Sequence, residues 1–266
     1  MNIVITGGSG FVGSYLCEKL INDGHEIIVV DNLLTGSTEN INHLMHNENF
    51  SFIEHDVQNH IEIENKVDYV LHFASAASPK AYTEHPVNTL KAGSVGTINT
   101  LGLAKKHDAE YLLASTSEVY GDPLISPQTE EYWGNVNPNG ERSMYDEAKR
   151  FAEAAVATYS RSYDLKTKIV RIFNTYGPRM QLNDGRVVTN FIVQALKNEN
   201  ITIYGDGSQT RSFSYVEDTV AGIISLMNSS EYDVFNIGNP NEMTVGQLAE
   251  KIIELTDSTS EIKYLE

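Results

Sequence analysis

The sequence predicts an α/β protein in which helices pack on both faces of a parallel sheet. Short runs rich in β-branched residues alternate with segments of helical period from the first residue onward, a pattern typical of strands joined by crossover helices. A glycine-rich turn follows the first predicted strand and opens the first predicted helix. The length of 266 residues suits one compact unit, or a large domain with a smaller lobe attached.

The alternation of strand and helix is regular over the first 173 residues. Strands of one sheet are predicted at residues 2–6, 26–31, 50–56, 68–74, 110–115 and 168–173. Helices whose apolar residues recur at helical spacing are predicted at residues 11–23, 86–107 and 143–163. Together these elements form a Rossmann-type, doubly wound sheet.

Beyond residue 173 the pattern is less regular. Helices are predicted at residues 187–197, 217–227 and 244–255, with short strands at residues 202–204 and 234–237. No Pro/Ser-rich linker separates this part from the first, so a closely packed lobe fits better than a tethered domain. We therefore predict a Rossmann domain over residues 1–173 and mainly a substrate lobe over residues 174–266.

The formal net charge of -17 argues against nucleic acid and membrane surfaces as partners, because no stripe of Lys and Arg offsets the repulsion. A small anionic ligand is still compatible if Lys91, Arg179 and Arg211 converge locally. No apolar run approaches the roughly 18 residues of a membrane span, and Met1 leads into a predicted strand without a basic signal-like region. A cytoplasmic protein is therefore expected.

The single cysteine, Cys17, falls among apolar helix positions. Without a second cysteine in the chain, an internal disulfide is excluded and a zinc site is not expected. A buried thiol is the favoured interpretation, and no metal site is predicted.

The turn after the first strand reads GGSGFVG, from Gly7 to Gly13. Glycines in such a turn allow positive φ and close approach of the backbone to phosphate, while Gly13 lets the helix pack on the strand. The free N–H groups and positive dipole end of the helix favour a pyrophosphate. Asp31 ends the next strand about 20 residues on, where a carboxylate accepts ribose hydroxyls and repels a 2′-phosphate. Turn and carboxylate together predict NAD in preference to NADP.

Further polar and small residues follow the next strands. Asp56 and Val57 end the third strand, and Ala74, Ser75 and Ala76 follow the fourth. Ligands bind at this edge of open α/β sheets, so contact with adenine and ribose is one interpretation. The other is ordinary turn chemistry, in which Asp and Ser are common. The residues alone do not separate the two.

Tyr145 and Lys149 form Y-x-x-x-K in a helical segment, and this spacing puts both side chains on one face. A nearby ammonium favours the phenolate of a tyrosine, whose pKa is ordinarily about 10, and lets it act as a base near neutrality. Thr116, directly after the fifth strand, is placed to hydrogen-bond the reacting hydroxyl or carbonyl. Taken alone, the spacing also arises by chance.

Longer stretches carry a far more specific pattern and run almost end to end: VDNLLTG (30–36), ENFSFIEHDV (48–57), LLASTSEVYGDP (112–123), YWGNVNP (132–138), YDEAKR (145–150), RIFNTYGPRM (171–180), DGRVV (184–188) and YGDGSQTRSFSYV (204–216). In these stretches the chain resembles the UDP-glucuronate decarboxylases of the extended short-chain dehydrogenase/reductase family. The resemblance implies tightly held, recycled NAD as cofactor and a UDP-sugar as substrate.

By this resemblance Tyr145 is the base, Lys149 lowers its pKa and holds the nicotinamide ribose, and Thr116 orients the substrate. The implied cycle is redox-neutral: UDP-glucuronate is oxidised at the 4-position, loses CO₂ as a β-keto acid and is reduced to UDP-xylose. Cofactor contacts are implied for Gly7, Gly10, Phe11, Val12, Gly13, Asp31, Asn32, Thr35, Asp56, Val57, Ala74, Ser75, Ala76, Tyr145, Lys149 and Thr175.

Ser117 separates the relatives, because nucleotide-sugar 4,6-dehydratases usually have an aspartate there as a proton donor. A hydroxyl can hydrogen-bond a substrate carboxylate that a second carboxylate would repel. Glu118 and Arg211 also match decarboxylase positions, although a turn-capping Glu118 and a surface-charged Arg211 stay open. Substrate contacts are implied for Lys91, Tyr159, Asn174, Arg179, Tyr204 and Arg211.

Two features depart from the family pattern. Gly93 replaces a family asparagine, and glycine inside a helix costs about 0.5–1 kcal/mol relative to alanine, so weaker local order near the nicotinamide is expected. Relatives continue beyond the position of Glu266 with a segment that helps enclose the nucleotide diphosphate. Normal NAD binding with weak UDP-sugar binding is therefore expected of a chain ending there.

Two other functions stay open. A nucleotide-sugar 4-epimerase or 4,6-dehydratase would use the same NAD, tyrosine and lysine without loss of a carboxylate. A non-catalytic NAD-binding protein is a further alternative, which the intact Thr116, Tyr145 and Lys149 disfavour. The resemblance also implies a homodimer that pairs through the helices at residues 86–107 and 143–163.

Overall fold

A computed structural model describes residues 1–265 of the chain. The strands, numbered in chain order, are β1 (Asn2–Thr6), β2 (Glu26–Asp31), β3 (Phe50–Glu54), β4 (Tyr69–His72), β5 (Glu110–Thr116), β6 (Thr167–Ile172), β7 (Thr175–Tyr176), β8 (Ile201–Tyr204), β9 (Thr210–Ser212), β10 (Ser214–Tyr215), β11 (Val234–Ile237), β12 (Glu242–Thr244) and β13 (Ile262–Leu265). The helices are α1 (Phe11–Asn22), α2 (Pro79–Glu84), α3 (Pro86–Lys91), α4 (Thr97–His107), α5 (Ser143–Tyr163), α6 (Val187–Leu196), α7 (Val216–Asn228) and α8 (Val245–Thr256).

The central sheet is parallel, with the strand order β3-β2-β1-β4-β5-β6-β11. In its middle, Ile3 of β1 lies opposite Ile27 of β2 on one side and Tyr69 of β4 on the other. After β3 the chain crosses to the far side of β1, so β1 and β4 border a topological switch point. The predicted fold class is confirmed, and the carboxyl ends of these strands form the expected ligand crevice.

Helices cover both faces of the sheet over separate apolar layers. One layer joins α1 and α7 and includes Leu16 and Ile223. The other joins α4 and α5 and includes Leu101 and Val156. Cys17 lies in the first layer, where complete burial raises the pKa of its thiol. The predicted buried thiol is confirmed.

A third apolar layer builds the smaller lobe. There α6 and α8 pack on the paired strands β8 and β13 through Phe191, Ile203 and Leu248. Helix α8 begins at a capping box, in which the Thr244 side chain accepts the Gln247 amide and the Gln247 side chain accepts the Thr244 amide. Within residues 1–265, no helix has both the length and the apolar character that crossing a bilayer requires.

Residues 234–237 form a strand as predicted, but in the large sheet and not in the smaller lobe. Val234 lies opposite Ile169, which makes β11 the edge strand beside β6. Helix α7 likewise packs in the apolar layer of α1. The chain thus returns to the central sheet after residue 173. A local pattern identifies a strand but not its partner, which here is distant in sequence.

The helix predicted over residues 86–107 is interrupted by a π-helical turn at Ala92–Gly96, between α3 and α4. Gly93 lies in this turn, and a Cβ added there would be only 2.7 Å from the Cβ of Ala148 on α5. The glycine therefore allows two helices to pack closely, which offsets its low helix propensity. Helix α2, which was not predicted, begins at Pro79 after the capping side chain of Ser78.

Candidate functional site

A cavity of about 710 Å³ runs along the carboxyl ends of the central strands and reaches the smaller lobe. Each predicted cofactor residue lines it, as do the predicted catalytic residues and three of the predicted substrate residues. The lining positions predicted from the sequence are Gly7, Gly10, Phe11, Val12, Gly13, Asp31, Asn32, Thr35, Asp56, Val57, Ala74, Ser75, Ala76, Thr116, Ser117, Glu118, Tyr145, Lys149, Asn174, Thr175, Arg179 and Arg211.

The glycine turn at one end of the cavity has no room for side chains. Gly7 has φ +74°, and a Cβ there would lie 2.7 Å from the Ala74 backbone nitrogen. A Cβ on Gly13 would collide with the carbonyl oxygen of Gly7. Helix α1 begins next to this turn without a side-chain cap. The turn therefore brings bare backbone and the N–H groups of a helix start to the cavity wall.

Asp31 ends β2 at the side of the glycine turn and is buried. Its Oδ2 accepts the Ser9 amide over 3.1 Å and its Oδ1 accepts the Leu33 amide over 2.9 Å. These bonds fix the carboxylate at the cavity edge, with lone pairs left on both oxygens. Asp31 is therefore held where a ribose hydroxyl can donate to it.

Asp56 fits both interpretations that the sequence left open. Its Oδ1 accepts the Gln58 amide over 2.9 Å, which is ordinary turn chemistry. Its Oδ2 accepts the side-chain amide of Asn32 over 3.0 Å, and both residues line the cavity. The carboxylate thus connects the ends of β2 and β3 across the cavity floor.

Lys149 and Tyr145 lie one helical turn apart on α5, and each is only 5% exposed. The Lys149 ammonium donates to the Ala114 carbonyl oxygen over 2.7 Å and lies 5.9 Å from the centre of the Tyr145 ring. The ring of Tyr82 stacks on the ring of Tyr145, with 5.3 Å between their centres. Burial lowers the pKa of Lys149 to about 8, although the Glu153 carboxylate opposes this shift.

Tyr145 differs from the expectation of a lowered pKa. Burial raises the pKa of its hydroxyl above the ordinary value, while Thr116 and Arg186 oppose that shift. The physical reason is that removal from water disfavours the phenolate, and the Lys149 ammonium is directed to a backbone carbonyl. In this structure Thr116 is the neighbour that most favours the phenolate.

The turn-capping role that one interpretation gave to Glu118 belongs to Thr116. The Thr116 side chain accepts the Glu118 amide over 3.2 Å and caps the 3₁₀ turn at Ser117–Tyr120. The Glu118 carboxylate forms an ion pair with Arg142. Asp146 also lies 3.8 Å from the same guanidinium, and burial raises its pKa to about 6. One arginine is therefore shared by two carboxyl groups beside Tyr145.

The cationic residues do not converge on one point. Arg211 is exposed at the cavity mouth and donates to the Thr210 carbonyl oxygen over 2.8 Å. Arg179 donates to the Ser14 hydroxyl over 3.1 Å and forms an ion pair with Glu18, so its charge is already compensated. Asn174 also lines the cavity, and its side-chain amide donates to the carbonyl oxygen of Ser212, the residue after Arg211, over 3.3 Å.

Three residues implied as substrate contacts lie outside the cavity lining. Lys91 is exposed on α3, and Tyr159 packs against Tyr163 with 5.3 Å between ring centres. Tyr204, at the end of β8, is 70% exposed. The geometry gives no support to these three contacts.

Tyr82, Arg142 and Arg186 are among the cavity residues that sequence reasoning missed. Arg186 lies in the stretch DGRVV (184–188), but no spacing assigns a role to it, to Tyr82 or to Arg142. For the two arginines the available signal was charge, because basic residues are few in a chain as acidic as this one.

The chain is similar to curated proteins over nearly its whole length. It is 53% identical over 263 residues to "UDP-glucuronic acid decarboxylase 1" of Xenopus tropicalis, covering 99% of this chain and 62% of that protein. It is 52% identical over 267 residues to "UDP-glucuronic acid decarboxylase 3" of Arabidopsis thaliana, covering 100% of this chain and 78% of that protein. The chain thus spans about three fifths of the length of the first of these relatives.

The fold is also similar to solved structures. The UDP-glucose 4-epimerase of Thermotoga maritima, solved with UDP-glucose, superposes with a TM-score of 0.90 at 32% identity, covering 100% of this chain and 85% of the epimerase. The sequence profile of one family, described as the NAD dependent epimerase/dehydratase family, matches residues 3–238. A match over that much of the chain, together with the relatives above, shows the family. The chain belongs to the NAD dependent epimerase/dehydratase family.

Proposed function

We propose that this chain is an NAD-dependent UDP-glucuronate decarboxylase, which forms UDP-xylose and CO₂ through a 4-keto intermediate. One observation carries the proposal: Thr116, Ser117, Tyr145 and Lys149 meet in a cavity that continues to the glycine turn. The identity of 52–53% to relatives named UDP-glucuronic acid decarboxylases supports this choice of reaction.

The residues present fit NAD. Gly7 has a positive φ, and a Cβ at Gly7 or at Gly13 would meet backbone atoms. The two glycines therefore allow the tight turn that cradles a pyrophosphate. Asp31 would bind the adenosine ribose, and Lys149 the nicotinamide ribose. When bound, NAD supplies an acceptor, and then a donor, of the hydride at the 4-position of the sugar.

Tyr145 would take the proton of the sugar hydroxyl, with Thr116 holding that oxygen in place. Its raised pKa keeps the hydroxyl protonated in this structure, so proton transfer depends on nearby positive charge and on Thr116. A buried Lys149 ammonium is one such charge, and it carries its proton below about pH 8. Arg186 is a second such charge, because it also opposes the rise in the pKa of Tyr145.

Ser117 and the cationic residues favour a substrate that carries a carboxylate over the nucleotide hexose of a 4,6-dehydratase. A carboxylate at position 117 would repel the substrate carboxylate, whereas the Ser117 hydroxyl can donate to it. Arg211 is exposed at the cavity mouth, and it would bind the carboxylate or steer the sugar ring. Glu118 would act near the same group, although Arg142 already holds it.

A homodimer is part of the proposal. Helix α3, the π-helical turn, α4 and α5 contact one another and carry exposed apolar side chains. These are Val87, Leu90, Val95, Ile98 and Phe151. Exposed apolar patches of this kind typically mark a protein interface. Sedimentation at micromolar concentration tests it, and a monomer at all concentrations would contradict it.

Mass spectrometry of the products tests the reaction. With UDP-glucuronate and NAD⁺ the proposal expects a product lighter by one CO₂. A 4-epimerase would give UDP-galacturonate without change of mass, and a 4,6-dehydratase would remove water from a nucleotide hexose. If the protein converts another nucleotide sugar but leaves UDP-glucuronate unchanged, the decarboxylase proposal is wrong. Only NAD-dependent chemistry on a nucleotide sugar would then stand.

A further inference from the structure

Glu153 lies one helical turn beyond Lys149 on α5 and does not line the cavity. Its Oε1 accepts the Ser115 hydroxyl over 2.5 Å and the Arg171 Nε over 3.0 Å. Its Oε2 accepts the Arg171 Nη2 over 2.7 Å. A mostly buried, bidentate pair of this kind fixes the carboxylate from β5 and β6 at once.

Arg171 is in turn held by the far side of the network. Its Nη1 donates to the Tyr120 hydroxyl over 2.9 Å and to the Glu130 carbonyl oxygen over 3.0 Å. The Tyr120 hydroxyl donates to the Asn236 side chain over 2.8 Å. The donors of Arg171 are thus occupied by Glu153, by Tyr120 and by the Glu130 carbonyl oxygen. The Glu153 carboxylate therefore cannot leave Arg171 without breaking several buried hydrogen bonds.

Few titratable side chains face the Lys149 ammonium. On its own helix these are Tyr145 and Glu153. From β4 it is His72, whose pKa burial lowers to about 3, so that it is neutral. The adjoining residues of β5 and of the π-helical turn at Ala92–Gly96 have no ionisable side chains. Its hydrogen-bond acceptor, the Ala114 carbonyl oxygen, is neutral. Glu153 is thus the carboxylate that favours the charged form of Lys149.

We propose that Glu153 is a positioning residue for the reaction: anchored by Arg171 and Ser115, its carboxylate keeps the buried Lys149 ammonium charged beside Tyr145. This inference rests on the proposed function in one respect, the role of the Lys149 charge in proton transfer by Tyr145. The effect on Lys149 itself is a property of the free protein. It therefore has a test that needs no substrate.

The test is a titration of Lys149 by NMR in protein labelled with ¹³C at lysine Cε, with the resonance identified by its absence from Lys149→Met. In Glu153→Gln the titration midpoint of Lys149 is expected about one pH unit lower than in the unsubstituted protein. This shift is at the small end of those that a nearby opposite charge causes, because Arg171 also binds the Glu153 carboxylate. Ser115→Ala, which removes a bond to Glu153 but no charge, is the matched control and should leave the midpoint in place. Glu153→Asp should restore most of the shift.

Glu153→Gln leaves the Arg171 guanidinium buried without its partner and can fail to fold. The double variant Glu153→Gln/Arg171→Gln removes both charges and decides the question in that case. A lower midpoint in either folded variant, with Ser115→Ala unchanged, supports the proposal. The same midpoint as in the unsubstituted protein overturns it.

A second experiment, the pH dependence of the rate of sugar oxidation, measures the consequence for the reaction. The alkaline limit of the rate is expected to move down by the same interval in Glu153→Gln, while the rate at pH 6 changes little. If the titration shifts but no form of the protein oxidises UDP-glucuronate, the proposed function fails and the action of Glu153 on Lys149 stands.

Discussion

Gly93 of the π-helical turn packs directly on Ala148 of α5, one residue before Lys149, and leaves no room for a Cβ between them. The contact sets how closely the turn approaches the helix that holds Tyr145 and Lys149. A glycine there is therefore a packing requirement of this chain, although it departs from the asparagine of the resembling family.

Gly93→Ala is expected to lower the free energy of unfolding by about 1–3 kcal/mol, because a Cβ 2.7 Å from that of Ala148 must displace α5. Gly102 on α4 is the matched control, since nothing lies within 4 Å of a Cβ added there. Gly102→Ala should stabilise by about 0.5–1 kcal/mol. Urea unfolding measures both, and equal effects of the two substitutions would contradict the packing argument.

Asp31→Asn is expected to weaken NAD binding about tenfold, roughly 1.4 kcal/mol, and to narrow the preference for NAD over NADP. The reason is that the amide keeps the bond to one backbone N–H but loses the negative charge that repels a 2′-phosphate. Calorimetry with both cofactors measures the ratio. Asp56→Asn is the control, and an equal change of the ratio there would remove the argument from Asp31.

Tyr145→Phe is expected to slow sugar oxidation by about 10²–10⁴-fold, because only the titrating hydroxyl is lost. NAD affinity and the unfolding transition should stay as they are. Tyr159→Phe, outside the cavity lining, serves as the control and should keep a normal rate. A normal single-turnover rate in Tyr145→Phe would show that another group takes the proton.

Lys149→Met is expected to abolish turnover and yet to stabilise the fold near pH 7. The pKa of Lys149 lies at about 8 in the folded chain against 10.5 when exposed, so the buried charge destabilises the fold by up to about 3 kcal/mol below pH 8. That penalty disappears as the pH rises from 8 to 10.5, where both states lose the proton. The stability gain of Lys149→Met should shrink over the same interval. A gain that does not change with pH would contradict the shifted pKa.

Local sequence patterns predicted the strands of the central sheet, the glycine turn and Y-x-x-x-K, because their spacing follows the periods of helix and strand and the geometry of one turn. The position of β11 was missed, since pairing with β6 is a long-range event. The π-helical turn at Gly93 was also missed, since it packs on Ala148, which is distant in sequence. The Glu118–Arg142 ion pair likewise joins residues that are far apart in the chain. The raised pKa of Tyr145 depends on burial, which single-residue reasoning does not supply.

The most direct test of the central claim follows the carboxylate itself. Protein incubated with NAD⁺ and UDP-glucuronate labelled with ¹³C in the carboxyl group should release labelled CO₂ in a one-to-one ratio with UDP-xylose, and absorbance at the NADH band should not accumulate. Retention of the label in the nucleotide sugar, with the substrate epimerised or unchanged, would contradict the account.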